Sequence, residues 1–295
     1  FHNVLCLSKA KGMDINMKKW NWMKRAVSMG LCMAMLTVGG MTAQAAPKAA
    51  ADEAYRAIFD AEYYYSQYSD LQTAIGMDPD ALFAHFVNIG IREGRSGTAD
   101  FNLRAYIQNN TDLMSAFGEN LAAYCEHYIA AGKAEGRQAL PGESSDEGLG
   151  SYSTAYDVTQ QRAINVELAA ERINGVVLQP GEEFSFSSQV QSRTYANGYV
   201  LGPSYAAGRE VISVGGGICQ VSSTLYVAMV RAAIPATERW THSAVVDYVP
   251  QGLDATIAEG TKDLKFVNIY TKPLVITATT QDGILTVTLD FQNEA

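Results

Sequence analysis

Hydrophobic and polar positions change their spacing along the chain, from a helical period to a strand-like one. Between residues 55 and 139, apolar and aromatic side chains recur at intervals of three and four, which predicts helices. Further along, the pattern predicts helices over 159–174 and 222–233 and strands over 183–188, 211–214, 245–249, 266–270, 274–280 and 284–289. An Asp282-Gly283 pair predicts a hairpin turn between the last two strands. Helices followed by strands indicate an α+β fold class.

The helical part contains an internal repeat with a constant offset of 42 residues and no gap. The matched pairs are Tyr64 and Tyr106, Asp70 and Asp112, His85 and His127, Gly90 and Gly132, and Arg95 and Arg137. Self-similarity at a fixed period indicates two copies of one supersecondary unit. The sequence therefore predicts a small all-α region of two helical hairpins, over 55–97 and 98–139.

Each copy carries one histidine, His85 or His127, with no second ligand at metal-binding spacing. This favours a packed histidine over a metal ligand. The tyrosines of the repeats leave two roles open, stacking on sugars or packing in a core. The repeats resemble short modules with Tyr, Asp-Leu, His-Phe and Gly-x-x-Glu-Gly-Arg elements, found in tandem on exported bacterial proteins. That resemblance implies attachment to a surface or cell wall.

The first 45 residues have the character of a leader. A basic stretch over 17–25, an apolar run over 26–40 and small residues at 42–45 predict a secretory signal peptide over 17–45. The apolar run is short for a membrane span, so we expect no stable transmembrane segment after cleavage. We therefore expect a secreted, extracytoplasmic protein associated with the cell wall. A polar, glycine-rich stretch predicts a linker over 140–152, followed by a second domain over 153–295.

The net charge and the positions of the cysteines argue against some classes of partner and against a disulfide. Loss of residues 1–45 removes six basic and one acidic side chain and changes the net charge from −9 to −14, which argues against nucleic acid as a partner. Of the four cysteines, Cys6 and Cys32 lie in the leader. Cys125 and Cys219 lie in different predicted domains, so their thiols are expected to be buried or used rather than paired.

Residues 215–226 read Gly-Gly-Gly-Ile-Cys-Gln-Val-Ser-Ser-Thr-Leu-Tyr and place Cys219 where three glycines precede a predicted helix. Glycines permit turn geometry, and the first amides of a helix stabilise a thiolate. His242 follows 23 residues later and is the only histidine in the C-terminal half. The pattern is typical of a cysteine nucleophile with a histidine base. A buried structural cysteine beside a hydrogen-bonded histidine is the alternative.

Six segments resemble the VanW-like family over about residues 155–290. They are Glu182-Glu-Phe-Ser-Phe, Gly198-Tyr199, the run 215–226, Arg239-Trp-Thr-His242-Ser243, Tyr248-Val-Pro-x-Gly-x-Asp254-Ala and Asp263-Leu-Lys-Phe-x-Asn268. The family is named after an accessory protein of glycopeptide-resistance gene clusters. The resemblance implies a shared fold and a link with the bacterial cell wall, and it leaves the reaction open.

The order of Cys219, His242 and Asp254 is also similar to that of transglutaminase-like and papain-like cysteine enzymes. That resemblance implies that Cys219 is the nucleophile, that His242 transfers the proton and that Asp254 orients the imidazole. Ala replaces a glycine before the Ile-Pro-Ala turn, Ser-Ala replaces Ala-Trp after the histidine, and Ala replaces a proline after Asp254. Asp263 and Asn268 are alternative polar partners for His242.

Residues near Cys219 are predicted to contact the substrate. The amides of residues 219 and 220, or the Gln220 side chain, are candidate donors to an oxyanion. Three hydroxyl residues on the same helix either orient substrate or pack. The predicted substrate-binding residues are Gly215, Gly216, Gly217, Gln220, Ser222, Ser223 and Thr224. Because no paired cysteine or histidine spacing supports a metal site, neither a metal nor a cofactor is predicted.

Three functions are compatible with these patterns. The leading hypothesis is a cysteine-dependent amidase, peptidase or transpeptidase that acts on peptidoglycan peptides. The alternative is a non-catalytic module that binds peptidoglycan or another cell-wall polymer, with the three glycines allowing close approach of backbone to ligand. The third is glycan cleavage by carboxylates among Glu182, Glu183, Asp247 and Asp254, which depends on their separation in space.

Overall fold

The computed structural model describes residues 52–142, 148–206 and 209–292. The predicted signal peptide over 17–45 lies outside the described residues. The described residues form one compact unit, in which the helical repeats and the C-terminal domain share a continuous hydrophobic core.

Each repeat contains three short α-helices, and the last of them continues into one π-helical turn. The first copy has α1 (Ala61–Gln67), α2 (Ser69–Ala74), α3 (Pro79–His85) and the π-turn Phe86–Gly90; the second has α4 (Leu103–Asn109), α5 (Met114–Phe117), α6 (Leu121–His127) and the π-turn Tyr128–Gly132. Short 3₁₀ turns cover Tyr55–Ile58 and Thr111–Leu113. The first arm of the predicted hairpin is thus divided into two pieces in each copy.

The tyrosine and histidine of each repeat form one partly buried hydrogen bond. His85 Nδ1 lies 3.0 Å from the Tyr64 hydroxyl, and His127 Nδ1 lies 2.8 Å from the Tyr106 hydroxyl. Both tyrosines are fully buried. A Cβ atom on Gly132 would lie 2.0 Å from the Tyr106 oxygen, so glycine is needed there. These two tyrosines are therefore core residues and do not stack on sugars, and the histidines are packed as predicted.

The arginine that ends each repeat closes the unit through an ion pair. Arg95 donates to both carboxylate oxygens of Asp70 at 3.1 and 2.8 Å. Arg137 makes the equivalent contacts with Asp112 at 3.0 and 2.9 Å. An arginine that contacts both oxygens of a carboxylate fixes both position and direction. The motif therefore joins the middle of each copy, α2 or the 3₁₀ turn Thr111–Leu113, to the segment that follows the π-turn.

The C-terminal domain combines three α-helices, one 3₁₀ turn (Tyr195–Asn197) and nine antiparallel strands among the described residues. In chain order they are β1 (Gly150–Ala155), α7 (Arg162–Ile173), β2 (Val177–Leu178), β3 (Glu183–Ser185), α8 (Phe186–Val190), β4 (Leu201–Ala206), β5 (Arg209–Val214), α9 (Ile218–Arg231), β6 (Ala236–Glu238), β7 (Lys265–Val267), β8 (Leu274–Gln281) and β9 (Ile284–Phe291). The sheet orders are β1-β9-β8-β2, β3-β7-β6 and the hairpin β4-β5. The α+β prediction is confirmed, and β1 begins inside the segment predicted as a linker.

Alternating side chains on β8 and β9 decide which face of the four-stranded sheet is covered. Leu285, Val287 and Leu289 are buried, whereas the threonines between them are partly exposed. Strands β1 and β9 pack against α9, and β8 packs against α7. Helix α9 is apolar around most of its circumference and is buried on all sides. It is the central element of the domain.

Three sequence predictions differ from the observed elements. The predicted strand over 245–249 does not form: the chain there is irregular, and the Val245 side chain is 76% exposed. The stretch 183–188 begins as β3 and continues as α8, because the Ser185 side chain accepts from the Ser188 amide and caps a helix. Helix α9 begins at Ile218 rather than 222, because Gly217 adopts a left-handed conformation (φ +107°) directly before it.

The second repeat packs directly against the C-terminal domain. The Gln108 side chain donates to the Leu149 carbonyl at 2.7 Å, and Glu119 Oε2 accepts from the Ala236 amide at 2.9 Å. Helix α4 also contacts α9. The repeats therefore support the face of the domain where β6 leads into the loop that carries His242.

In the part of the chain that the structure describes, no helix combines the length and apolar character needed to cross a membrane.

Candidate functional site

The triple glycine forms a tight turn that presents Cys219 as the second residue of α9. Gly215 and Gly217 have φ angles of +82° and +107°, which favour glycine. A Cβ atom on Gly216 would lie 2.1 Å from the carbonyl oxygen of Gly202 in β4. The turn thus needs glycine for its backbone angles at two positions and for close packing at the third. It places the thiol at the positive end of the helix dipole.

The Cys219 thiol is half-buried and surrounded by hydrogen-bonding groups. The Ile257 amide donates to Sγ at 3.4 Å, and the hydroxyl of Thr256 lies 3.9 Å from it. His242 lines the same cleft as Cys219, and its charge acts on the thiol. Burial by itself raises the pKa of the thiol, but His242 and the Ile257 amide together hold the pKa below its ordinary value. The surroundings therefore favour the thiolate.

Asp254 orients His242 through two contacts with the same oxygen. Asp254 Oδ2 accepts from the His242 backbone amide at 2.6 Å and lies 2.7 Å from the ring Nδ1. With Nδ1 engaged by the carboxylate, Nε2 is the nitrogen available to Cys219. The structure thus brings Cys219, His242 and Asp254 together in the order that the sequence predicts, across a loop without regular strands.

The electrostatics of this group favour an imidazolium between two anions. Burial by itself lowers the pKa of His242, but the hydrogen bonds with Asp254 and Cys219 raise the pKa to about 9. Burial likewise raises the pKa of Asp254, while the bonds from the His242 ring and amide hold it below its usual value. The surroundings therefore favour the imidazolium form of His242 and the carboxylate form of Asp254, and they shift Cys219 towards the thiolate.

Arg239 is a further residue that holds this site, and sequence analysis gave it no role. Its guanidinium donates to the carbonyl oxygens of Asp254 at 2.8 Å and Gly252 at 2.6 Å. The guanidinium carbon also lies over the Tyr226 ring, at 4.2 Å from the centroid. Its position three residues before His242, in the Arg-Trp-Thr-His motif, was the feature of the sequence that could have indicated this role. Arg239 fixes the loop that carries Asp254.

The three hydroxyl residues of α9 are not substrate contacts. Ser222, Ser223 and Thr224 are fully buried. Ser222 donates to the Ala255 carbonyl at 2.6 Å, and Ser223 accepts from the Ala255 amide at 2.9 Å. Thr224 donates to the Gln220 carbonyl at 2.7 Å. The prediction that they bind substrate is wrong for this structure, because their side of α9 faces the 254–257 loop and β1 instead of the cleft.

The Gln220 side chain is likewise engaged within the protein. Its Nε2 donates to Thr154 Oγ1 at 3.0 Å and to the Ala155 carbonyl at 2.8 Å, and its Oε1 accepts from Arg162 at 2.6 Å. Both amide hydrogens are therefore used, and the predicted oxyanion role of this side chain is wrong. The amides of Ile218 and Gln220 donate to the carbonyls of residues 215 and 217. The Cys219 amide is the backbone donor that the first turn of α9 offers.

The alternative partners of His242 lie elsewhere. Asp263 accepts from the Ser185 hydroxyl at 2.6 Å and from the Ser187 amide at 2.8 Å, so it caps α8. The Asn268 amide donates to two backbone carbonyls and stabilises the turn after β7. Asp254 is thus the acidic partner of His242.

A cleft of about 650 Å³ opens at the thiol. The triple glycine, Cys219, His242, Tyr248 and the segment 256–259 line it. Of the carboxylates considered for glycan cleavage, Asp247 lines the cleft, whereas Glu182 and Glu183 do not. A second depression of about 430 Å³ adjoins it, because Arg193, Ile257 and Glu259 line both.

The other described cysteine is not part of the site. Cys125 is a free thiol buried in the second repeat, and burial raises its pKa well above the ordinary value. Cys219 is also free. Among the residues with described positions, no group of three or more His, Cys, Asp or Glu side chains is arranged to hold a metal ion.

Residues 161–289, which include the whole site, match the family described as VanW like protein. The chain is 40% identical over 146 residues to the uncharacterized protein YoaR of Bacillus subtilis (strain 168), covering 49% of this chain and 48% of YoaR. It is 34% identical over 133 residues to the vancomycin B-type resistance protein VanW of Enterococcus faecalis (strain ATCC 700802 / V583), covering 42% of this chain and 48% of that protein.

The chain therefore spans about half the length of the curated relatives it matches. A search of solved structures gives no significant match.

Proposed function

Since the chain carries a VanW-like domain at residues 161–289, we propose that this domain is a cysteine-dependent enzyme of the bacterial cell wall. It cleaves or exchanges amide bonds in peptidoglycan peptides. The observation that carries this proposal is that His242, oriented by Asp254, lines the same cleft as Cys219 and favours its thiolate. A structural cysteine needs neither a lowered thiol pKa nor an oriented imidazole.

The charges of the site suit acyl transfer. Cys219 Sγ attacks the carbonyl carbon of the amide, and the developing oxyanion accepts a hydrogen bond from the Cys219 amide. The carbon–nitrogen bond then breaks, and the His242 imidazolium gives its proton to the leaving amine. An acyl thioester remains on Cys219.

The second half of the reaction releases the product. His242 takes a proton from water, the resulting hydroxide equivalent attacks the thioester, and the thiolate leaves. An amine in place of water gives a new amide bond, which is transpeptidation. Asp254 stays ionised throughout and holds the ring with Nε2 towards the sulfur.

The cell-wall location rests on separate observations. The leader has the pattern of a secretory signal peptide, and the relative from E. faecalis is named as a vancomycin resistance protein. The cleft volume of about 650 Å³ lies within the range of sites that hold small ligands or short peptide segments. Together these favour a peptide substrate outside the cytoplasm.

The test is digestion of purified sacculi with the wild-type protein and with Cys219→Ala. New muropeptides detected by mass spectrometry are expected with the wild type and absent with Cys219→Ala. Cys125→Ala removes the other described thiol and serves as the matched control, with wild-type products expected. Identical profiles for wild type and Cys219→Ala would refute the enzyme. If all three proteins then sediment with sacculi, the non-catalytic binding module is the better account.

A further inference from the structure

Two arginines lie against the triple glycine at the mouth of the cleft. A Cβ atom on Gly215 would lie 2.8 Å from the Arg193 side chain, and one on Gly217 would lie 3.1 Å from Arg162 Nε. Both arginines line the cleft together with Cys219. The glycines therefore have a second role besides forming the turn. Because they have no side chains, the two arginine side chains have room to lie beside the thiol.

The charge of Arg162 is not matched by a carboxylate. Its guanidinium donates to the neutral Gln220 oxygen at 2.6 Å, and no acidic side chain within ion-pair distance of it is found in the described ranges. Gln220 is itself held by Thr154 and Ala155. Arg162 is therefore fixed in direction by a buried neutral partner while its positive charge remains available.

Arg193 is only loosely paired. Its Nε lies 3.8 Å from Glu259 Oε2, and the Glu259 side chain is 55% exposed. The Arg193 side chain is only 18% exposed, so the pair is weak because of its 3.8 Å separation and the exposure of Glu259. An incoming anion can therefore share or replace Glu259. Arg193 also contacts the Ile257 carbonyl at 3.5 Å, on the same segment whose amide donates to Cys219 Sγ.

The remaining charges around the cleft do not neutralise this pair. Asp254 is engaged by His242 and Arg239. Asp247 is exposed on the Tyr248 side of the cleft. The wall formed by the glycine turn is thus cationic in a chain whose net charge is −9.

We propose that Arg162 and Arg193 form a subsite for a carboxylate of the substrate. This inference rests on the proposed function, and it specifies the substrate class as a peptide with a free carboxyl group close to the amide that Cys219 attacks. Guanidinium groups recognise carboxylates by paired, charge-assisted hydrogen bonds. A side-chain carboxylate and a C-terminal carboxylate share this chemistry, and the experiment distinguishes them.

The experiment measures binding without turnover, in the Cys219→Ala protein. Three otherwise identical short peptides are titrated by calorimetry: one with a glutamate side chain and an amidated C-terminus, one with glutamine and a free C-terminus, and one with glutamine and an amidated C-terminus. We expect at least one acidic peptide to bind about tenfold or more tightly than the neutral one. Which acidic peptide gains identifies the source of the carboxylate.

Substitution then assigns the effect to the arginines. Arg162→Gln is expected to remove most of the acidic peptide's advantage and to leave binding of the neutral peptide unchanged, and Arg193→Gln to act in the same direction. Arg92→Gln removes an equal charge from an exposed position in the first repeat and is the matched control, with no change expected. Arg162→Lys keeps the charge but lacks the planar pair of donors of a guanidinium group. Its affinity for the acidic peptide is expected to lie between those of the parent protein and Arg162→Gln. Thermal melting verifies that each variant is folded.

Equal affinity of the parent protein for the acidic and neutral peptides would overturn the proposed subsite. The subsite would also be overturned if Arg162→Gln weakened the binding of both peptides equally. Because no bond is broken in this assay, its outcome is independent of the sacculus digestion. If the protein prefers the acidic peptide but does not digest sacculi, the subsite is retained and the enzymatic activity is refuted. If it digests sacculi but binds acidic and neutral peptides equally, the enzymatic activity is retained and the subsite is refuted.

Discussion

Asp254 Oδ2 accepts two hydrogen bonds from one residue, at 2.6 Å from the His242 backbone amide and at 2.7 Å from the His242 ring. The first contact fixes the backbone of the histidine, and the second fixes its tautomer. One carboxylate oxygen thus determines both where the imidazole lies and which nitrogen faces Cys219.

Asp254→Asn keeps the shape of the side chain and removes its charge. The pKa of His242 is expected to fall from about 9 towards the ordinary value of 6.5 or below, because burial then acts with less opposition. NMR titration of the imidazole ring measures this change. Any cysteine-dependent activity is expected to fall by about 10²- to 10⁴-fold. Asp100→Asn, at an exposed turn, is the control, and an unchanged His242 titration in Asp254→Asn would contradict the assignment.

Alkylation of Cys219 is expected to depend on pH in a way that reports the pair with His242. Since only the thiolate reacts and the pKa of Cys219 is held below 9, iodoacetamide labelling should rise with pH to a midpoint below 9. In His242→Ala the midpoint is expected to move upward, because burial raises the pKa without the imidazolium.

Mass spectrometry of peptides from the labelled protein measures this profile at each cysteine separately. Cys125 should label only after unfolding, since its thiol is buried. A midpoint for Cys219 that is the same in wild type and His242→Ala would show that the two side chains do not interact.

Ser223→Ala is expected to weaken both the fold and the site. The substitution leaves the Ala255 amide without its buried acceptor, which costs about 1–3 kcal/mol. The free energy of unfolding in urea measures the loss, and slower labelling of Cys219 measures the displaced loop. Ser153→Ala removes a hydroxyl from the exposed face of β1, and its effect is expected to stay within about 0.5 kcal/mol. A neutral Ser223→Ala would mean that the loop is held by other contacts.

Gly216→Ala is expected to destabilise the protein through a clash. The new Cβ would lie 2.1 Å from the Gly202 carbonyl oxygen, so the β4–β5 hairpin must move, and a cost of about 2–4 kcal/mol is expected. Gly142→Ala has no neighbour within 4 Å of the new Cβ and is the matched control, with an unchanged melting temperature expected. If both variants melt alike, the close approach of the two backbones does not matter for stability.

Most features of the two repeats can be predicted from the local sequence pattern. The offset of 42 residues, the helices and the packed histidines follow from sequence, because each copy keeps the same spacing of apolar side chains. The break of the first helix in each copy did not follow. Asp60 and Asn102 cap α1 and α4, as is typical of short polar side chains. The end of each of these helices is less evident in the sequence, because α2 in one copy and a 3₁₀ turn in the other follow almost directly.

The loop after β6 marks the limit of pattern reading. Val245, Val246 and Val249 have the character of a strand. A strand needs a partner for its backbone hydrogen bonds, and none of the described strands pairs with this segment. Its path is set instead by Arg239 and Ser223, which bind the backbone around residues 252–255.

The sequence by itself determined the repeat, the α+β class and the order of Cys219, His242 and Asp254, because spacing and residue type are local properties. Only the tertiary structure decided which polar side chains of α9 face the cleft. Cys219 lies at its edge, whereas Ser222, Ser223 and Thr224 face the loop. A helix that is buried on all sides gives no sign in its sequence of which side meets the substrate. The same is true of Arg162 and Arg193, which line one cleft only because both pack against the glycine turn.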